Sequence, residues 1–170
     1  NVVLFESGEG PGSVLNGITI EGGLSGIHCK NSSSPTITRC IIKENNKGIY
    51  CDSGCPSLKN SWIFDNNDGM YFTGASCTPE VWNNTIVANT SRGIYADPNA
   101  APNIVNCILW DNGDDLYGCT AAYSCIEDGN SGTGNISSNP QFINAAAKDY
   151  HIAGSSPCLD AGDPDGDYAG

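Results

Sequence analysis

The chain has 170 residues, long enough to bury a substantial core, and a net charge of -12 with only seven Lys and Arg. This charge balance excludes nucleic acid as a ligand, because its phosphates need clustered cations on the protein. It also disfavours polyanionic glycans as ligands, unless a bound cation bridges glycan and protein. No segment approaches the roughly 18 uninterrupted apolar residues of a membrane span, so no membrane span is expected. Both ends have the character of cut ends of a longer protein, since no basic-then-apolar leader precedes the first strand-like residues.

A repeat begins early in the chain and continues through four regular copies. Strand-like residues 15–20 precede Gly26-Ile27-His28, and each later copy contains a proline, an asparagine ten residues on, and then a Gly-Ile-Tyr signature or a variant of it. Aliphatic residues lie two and seven positions after each proline. The proline–asparagine pairs are Pro35 and Asn45, Pro56 and Asn66, Pro79 and Asn89, and Pro102 and Asn112.

The repeat length of 21 to 23 residues predicts one coil of a solenoid per copy. Its alternating segments are too short for a helix stripe but suit short strands between turns. Stacked at about 4.8 Å, equivalent strands close the backbone hydrogen bonds between coils. The asparagines are then expected to form an inward ladder in which each amide donates to the next. We predict an all-β fold of about six or seven stacked coils with almost no helix.

The last third of the chain loses the repeat. Residues 1–118 are expected to form regular coils, and residues 119–170, rich in glycine, serine and proline, a last irregular coil and a C-terminal cap of the same domain. The repeat and this closing segment resemble the right-handed parallel β-helices of the pectate-lyase-like superfamily, above all the uncharacterised secreted and cell-surface proteins of bacteria. The resemblance implies the fold and a secreted or surface location, but not one activity, because this scaffold carries lyases, hydrolases and adhesins.

Strand alternation places an unusual number of aromatic residues on the outer surface. Exposed aromatic stripes often mark contact sites, and their faces can stack on the C–H faces of sugars. We therefore predict an extracellular glycan-binding or adhesion module without catalytic activity, whose partner is a polysaccharide or cell-surface glycan. A structural repeat that binds a protein partner, self-association through the stripe, and plain ladder packing are the alternatives. The predicted ligand-binding residues are Trp62, Phe64, Trp110, Trp82, Tyr50, Tyr71, Tyr95 and Tyr117.

Carboxylates offer an enzyme alternative, a fragment of a polysaccharide lyase or glycoside hydrolase. Glu44, Asp65 and Asp111 fall in one column just before the ladder asparagines, and paired carboxylates are what glycoside hydrolysis requires. Arg92 is the better placed of two arginines for a lyase base. The favoured interpretation is that these acidic residues are solvated turn residues at the rim of the coils, without a catalytic role. No cofactor is expected, although Asp163, Asp165 and Asp167 alternate as in a calcium loop.

Nine cysteines without a CxxC spacing favour disulfides in an oxidising compartment over a zinc site. Stacked positions lie near the Cα separation that a disulfide accepts, and one cysteine, Cys40, is left buried and free. A reduced column of core thiols is the alternative. The expected pairs are Cys29 with Cys51, Cys55 with Cys77, Cys107 with Cys125, and Cys119 with Cys158.

Overall fold

The computed structural model describes residues 1–74 and 78–166, and three parallel sheets form the framework of this part of the chain. Sheet A contains β1 (Val3–Phe5), β4 (Ser25–Lys30), β7 (Lys47–Asp52), β10 (Asp68–Thr73), β13 (Arg92–Ala96) and β16 (Leu116–Tyr117). Sheet B contains β2 (Val14–Asn16), β5 (Thr36–Thr38), β8 (Ser57–Lys59), β11 (Glu80–Trp82), β14 (Asn103–Val105) and β17 (Ala121–Ala122). Sheet C contains β3 (Thr19–Glu21), β6 (Ile41–Lys43), β9 (Trp62–Phe64), β12 (Thr85–Val87), β15 (Ile108–Trp110) and β18 (Cys125–Ile126).

Each coil contributes one strand to each sheet, and each strand pairs in parallel with its equivalents in the neighbouring coils. The prediction of an all-β parallel solenoid is therefore confirmed. The helical content of the described residues is a single 3-10 turn, Ala145–Ala147. Strands β17 and β18 complete a sixth coil that ends at Ile126, within the segment where an irregular last coil was expected.

The core is a set of aliphatic columns that run along the inside of the coils. The aliphatic residues two and seven positions after each repeat proline are all fully or almost fully buried, and Ile49, Met70 and Ile94 of sheet A complete the same cluster. The inward columns of sheets B and C are Ile37, Leu58, Val81 and Ile104, and Ile42, Ile63, Ile86 and Leu109. Since one coil cannot bury these side chains alone, stacking supplies the hydrophobic contribution to stability.

The predicted asparagine ladder lies at the corner between sheets C and A. The Nδ2 atoms of Asn45, Asn66 and Asn89 each donate to the Oδ1 atom of the next asparagine, at 2.9 to 3.0 Å. The same Oδ1 atoms accept from backbone N–H groups of the coil before. The ladder thus pairs polar groups that would otherwise be buried without partners at the bend.

The signature glycine is required by this ladder. A Cβ on Gly48 would lie 2.5 Å from the Gly69 carbonyl oxygen and 3.1 Å from the Asn66 amide nitrogen, and Gly26, Gly69 and Gly93 are equally crowded. Any larger residue would force neighbouring coils apart.

The acidic column lies at the same corner and has a backbone explanation. Glu44, Asp65 and Asp111 have φ values of 54–55°, in the left-handed region, and so does Ala88, which interrupts the column. The column therefore consists of single residues that turn the chain from sheet C toward the asparagine ladder. Asp tolerates the left-handed conformation of this turn better than most residues.

A cap closes the outer side of sheet C. The antiparallel strands β19 (Phe142–Asn144) and β20 (Asp149–Ile152) flank the 3-10 turn, and we call residues 142–152 the cap hairpin. Residues 153–166, the closing segment, continue back to the solenoid, where the Asp163 N–H donates to Asn106 Oδ1 at 2.8 Å.

The predicted disulfides are not present among the described cysteines, all eight of which are free thiols. Cys29 and Cys51 do occupy equivalent positions, but both face the core as a stacked pair. Parallel neighbours hold their Cβ atoms near the inter-strand distance of about 4.8 Å, whereas a disulfide needs about 3.8 Å. The pairing of Cys55 with Cys77 involves a residue outside the described part of the chain.

The expected pairing of Cys107 with Cys125 was wrong because the register of the last coil differs by one residue. Cys125 aligns with Ile108, and the Cys107 N–H donates to Ser124 Oγ at 3.0 Å. A slip of one residue moves a side chain to the opposite face, so Cys107 points into the core and Cys125 points outward. The pairing of Cys119 with Cys158 also fails, because Cys119 packs against the core while Cys158 contacts Cys125.

Candidate functional site

The cap hairpin covers part of the aromatic surface of sheet C. Tyr150, only 4% exposed, contacts Phe64 and Trp62 with ring centroids 5.2 and 5.8 Å apart, and Phe142 adds a third contact at 5.3 Å. The prediction of an open surface is thereby corrected for Phe64, whereas Trp62 is half-buried and keeps part of its surface exposed. Both lie on the outer face of the sheet, but the cap makes them an anchor, and Phe64 is 5% exposed.

A cleft of about 500 Å³ lies where the cap hairpin meets sheet C. Trp110 and Val87 form the solenoid side, and Phe142, Tyr150 and the 3-10 turn form the cap side. Trp110 is half-buried, so part of its ring remains available in the cleft. This volume and a mostly apolar lining with polar groups at its rim are typical of small-ligand sites.

Several polar groups lie along the rim of the cleft. Asp111 follows Trp110 directly, and Gln141 and Asn139 approach from the segment before the cap hairpin. Lys148 Nζ lies 2.7 Å from the Asp65 carboxylate, and this hydrogen bond raises the pKa of Lys148. Burial raises the pKa of the Tyr150 hydroxyl above its ordinary value. The cleft thus presents hydrogen-bonding groups beside an aromatic wall.

The four residues named for an enzyme do not meet at one place. Asp111 lines the cleft and Asp65 adjoins it through Lys148. Glu44, by contrast, pairs with Lys43 at 2.7 Å, further along the solenoid. Arg92 lies on sheet A, where its Nε donates to Asp68 at 2.8 Å. The arginine proposed as a lyase base is therefore on a different sheet from the carboxylates.

The tyrosine column is in register on the outer face of sheet A, as predicted. His28, Tyr50, Tyr71, Tyr95 and Tyr117 occupy equivalent positions in successive strands. Their ring centroids are 4.3 to 5.9 Å apart; three of the four neighbouring pairs are stacked, and Tyr50 meets Tyr71 edge-on.

Cations complete this column. Lys47 lies 4.5 Å from the Tyr71 ring centroid, and the Arg92 guanidinium lies 4.6 Å from that of Tyr95. Tyr117 is 53% exposed, whereas the other three tyrosines are half-buried by one another. Mutual stacking and cation–π contacts therefore occupy much of the column's aromatic surface.

The remaining predicted residues lie apart from the cleft. Trp82 is on sheet B with Lys59 Nζ 4.5 Å from its ring centroid. Asp163 Oδ1 accepts from the Asp165 N–H at 3.1 Å, and Asp167 falls outside the described residues. Among residues 1–74 and 78–166, no group of three or more His, Cys, Asp or Glu side chains is arranged to hold a metal ion. The same part of the chain contains no helix long and apolar enough to cross a membrane.

Sequence reasoning missed the cap side of the cleft, Lys148, Tyr150, Gln141 and Phe142. The alternation of residues 149–152 indicates a strand, but no repeat register relates that strand to a coil. The spatial partner of a residue outside the repeat cannot be read from spacing, and Lys148 is 83 positions from Asp65.

Parallel strands in three sheets, inward aliphatic columns and an asparagine ladder define a parallel β-helix. A family described as a right-handed β-helix region matches residues 3–142, and the chain belongs to this family. No curated protein and no solved structure matched the chain.

Proposed function

We propose that this chain is an extracellular module, secreted or attached to a cell surface, that binds a neutral glycan without cleaving it. The observation that supports the proposal is the concave cleft beside the cap hairpin, in which a half-buried tryptophan faces polar side chains. The outer aromatic column of sheet A is a weaker candidate, because its rings stack mainly on one another.

The chemistry of the cleft suits a sugar ring. The face of Trp110 offers a flat apolar surface for C–H groups, and Phe142 and Tyr150 add aromatic surface from the cap side. The Asp111 carboxylate and the amides of Gln141 and Asn139 can exchange hydrogen bonds with hydroxyl groups at the rim.

Charge decides between neutral and anionic glycans. The chain carries a net charge of -12, and the cation at the cleft, Lys148, is already paired with Asp65. A uronate or sulfated sugar would meet Asp111 and an acidic surface, whereas a neutral glycan would not. We therefore expect binding that depends little on salt concentration.

The experiment is retention on glycan affinity gels by the wild type and two tryptophan variants. Trp110→Ala should weaken retention several-fold, as expected for an aromatic contact of about 0.5–1.5 kcal/mol. Trp82→Ala removes the same side chain from sheet B and should leave retention unchanged. Equal retention of both variants and the wild type would refute the cleft as the glycan-binding site. Retention of the wild type by no glycan would favour the alternative of a structural repeat that binds a protein partner.

One observation favours catalysis as a second candidate. Asp65 and Asp111 occupy the same corner column two coils apart, which at about 4.8 Å per coil places their backbones roughly 9–10 Å apart, near the upper limit for carboxylates of inverting glycosidases. Incubation with a polysaccharide panel, with and without calcium, tests it. New reducing ends or unsaturated products from the wild type, lost in Asp111→Asn, would replace the binding proposal with an enzyme.

A further inference from the structure

The outer face of the last coil carries a second feature, a pair of thiols beneath the closing segment. Cys125 lies at the start of β18, and its outward direction follows from the alignment of Cys125 with Ile108. Cys158 belongs to the closing segment that passes over this face. The two side chains lie beside each other, and both line a cavity of about 240 Å³.

We propose that Cys125 and Cys158 form an oxidation site, where a small-molecule disulfide converts the two thiols into a disulfide bond that fastens the closing segment to the last coil. The inference rests on the placement of these two residues and is independent of glycan binding.

The local chemistry gives the two cysteines different roles. Cys125 is 3% exposed and its sulfur lies 3.2 Å from the Ser138 carbonyl oxygen. Cys158 is half-buried, and its hydrogen bond with the Cys125 thiol lowers its pKa. A more accessible thiol with a lowered pKa is the better nucleophile toward a disulfide.

The reaction then takes two exchange steps. The Cys158 thiolate attacks one sulfur of the small disulfide, forms a mixed disulfide and releases the first small thiolate. Cys125, as it loses its proton, attacks the Cys158 sulfur, and the second small thiolate leaves. The two cysteines together lose two protons and two electrons, and the small disulfide is reduced to two thiols.

Other described cysteines are placed differently and serve as controls. Cys107 also borders the cavity, but its side chain faces the core, where its sulfur lies 3.3 Å from the Val81 carbonyl oxygen, and burial raises its pKa to about 12. Burial also raises the pKa of Cys119 to about 12. These thiols should stay reduced under conditions that oxidise the pair.

The bond would enclose the cap hairpin, because residues 142–152 lie between the two cysteines in the chain. Cross-linking removes conformations from the unfolded ensemble, so the cap should unfold at a temperature several degrees higher in the oxidised protein. The reduced protein should regain the lower temperature when a thiol reductant is added.

The test is exposure of the whole folded chain to oxidised glutathione, followed by alkylation and peptide mapping without reduction. The expected product is a peptide pair joined through Cys125 and Cys158, with the same pair formed in Cys119→Ser. Cys158→Ser should show neither the joined peptides nor the rise in cap stability. Three results for the wild type would overturn the proposal. Both cysteines could still be alkylated, they could remain joined to glutathione as stable mixed disulfides, or they could form disulfides with other cysteines.

Discussion

The coils and the cap hairpin differ in what holds each residue in place. In the coils, a residue such as Asn66 has equivalents above and below it, and its hydrogen bonds repeat from coil to coil. In the cap, Tyr150 has no equivalent, and its contacts with Phe64 and Trp62 occur once. The comparison teaches that the repeat supplies stability, while the candidate site arises where a non-repeating segment meets it.

The largest expected effect comes from removing one member of the asparagine ladder. Asn66 donates to the Ile42 and Phe64 carbonyl oxygens as well as to Asn89, at 3.0 to 3.1 Å. Asn66→Ala would leave several buried backbone groups without partners, so we expect the free energy of unfolding to fall by about 3–5 kcal/mol.

Denaturant unfolding measures this effect, and the adjacent exposed residue provides the control. Asn67→Ala should lower the free energy of unfolding by well under about 1 kcal/mol, as expected for a change on the surface. Similar losses in the two variants would show that the ladder contributes no more than a surface residue.

A smaller and more local effect is expected in the cap. Tyr150→Ala removes the ring that joins the cap hairpin to Phe64 and Trp62, and the cost of such a buried aromatic is about 3 kcal/mol. Amide hydrogen exchange should then accelerate in residues 142–152 and stay slow in sheets A and B. Tyr117→Ala, at the exposed end of the tyrosine column, is the matched control and should leave cap exchange unchanged. Uniform acceleration across all three sheets would mean that cap and coils unfold together.

The smallest expected effect is a pH dependence at the end of the ladder. Asp115, buried where the ladder ends, accepts from Asn112 Nδ2 at 2.8 Å, and burial raises its pKa. Its folded-state pKa lies above the unfolded value, so the charged form is penalised at neutral pH and the penalty disappears as pH falls toward about 4. Wild type should therefore gain stability relative to Asp115→Asn between pH 7 and about pH 4.

Asp97 has a pKa shift of the opposite sign to that of Asp115. Backbone N–H groups of Asn99 and Gly74 lower the pKa of Asp97, so its contribution to stability is present above its unfolded pKa and is lost only below about pH 4. Over the range used for Asp115, wild type and Asp97→Asn should keep a constant difference. A constant difference for Asp115→Asn as well would contradict the assigned shift.

The sequence predicted the coils well because each marker has a repeated physical cause. The inward aliphatics, the Gly48 position and the Asn45-to-Asn66 bond all follow from stacking one unit on another. It failed at Cys125, where the last coil is shorter and its register shifts by one residue. It also failed at Phe64, because the burial of this residue depends on a cap that the repeat does not position.

The central claim, that the candidate ligand site is made by the cap and not by the repeat, is tested most directly by chemical-shift mapping. Labelled protein would be titrated with the glycan that the affinity gels retain best. We predict shifts concentrated at the cleft, at Val87, Trp110, Gln141 and Phe142, with the tyrosine column unaffected. Shifts that run along Tyr50, Tyr71 and Tyr95, with the cleft unchanged, would contradict the claim and assign binding to the repeat.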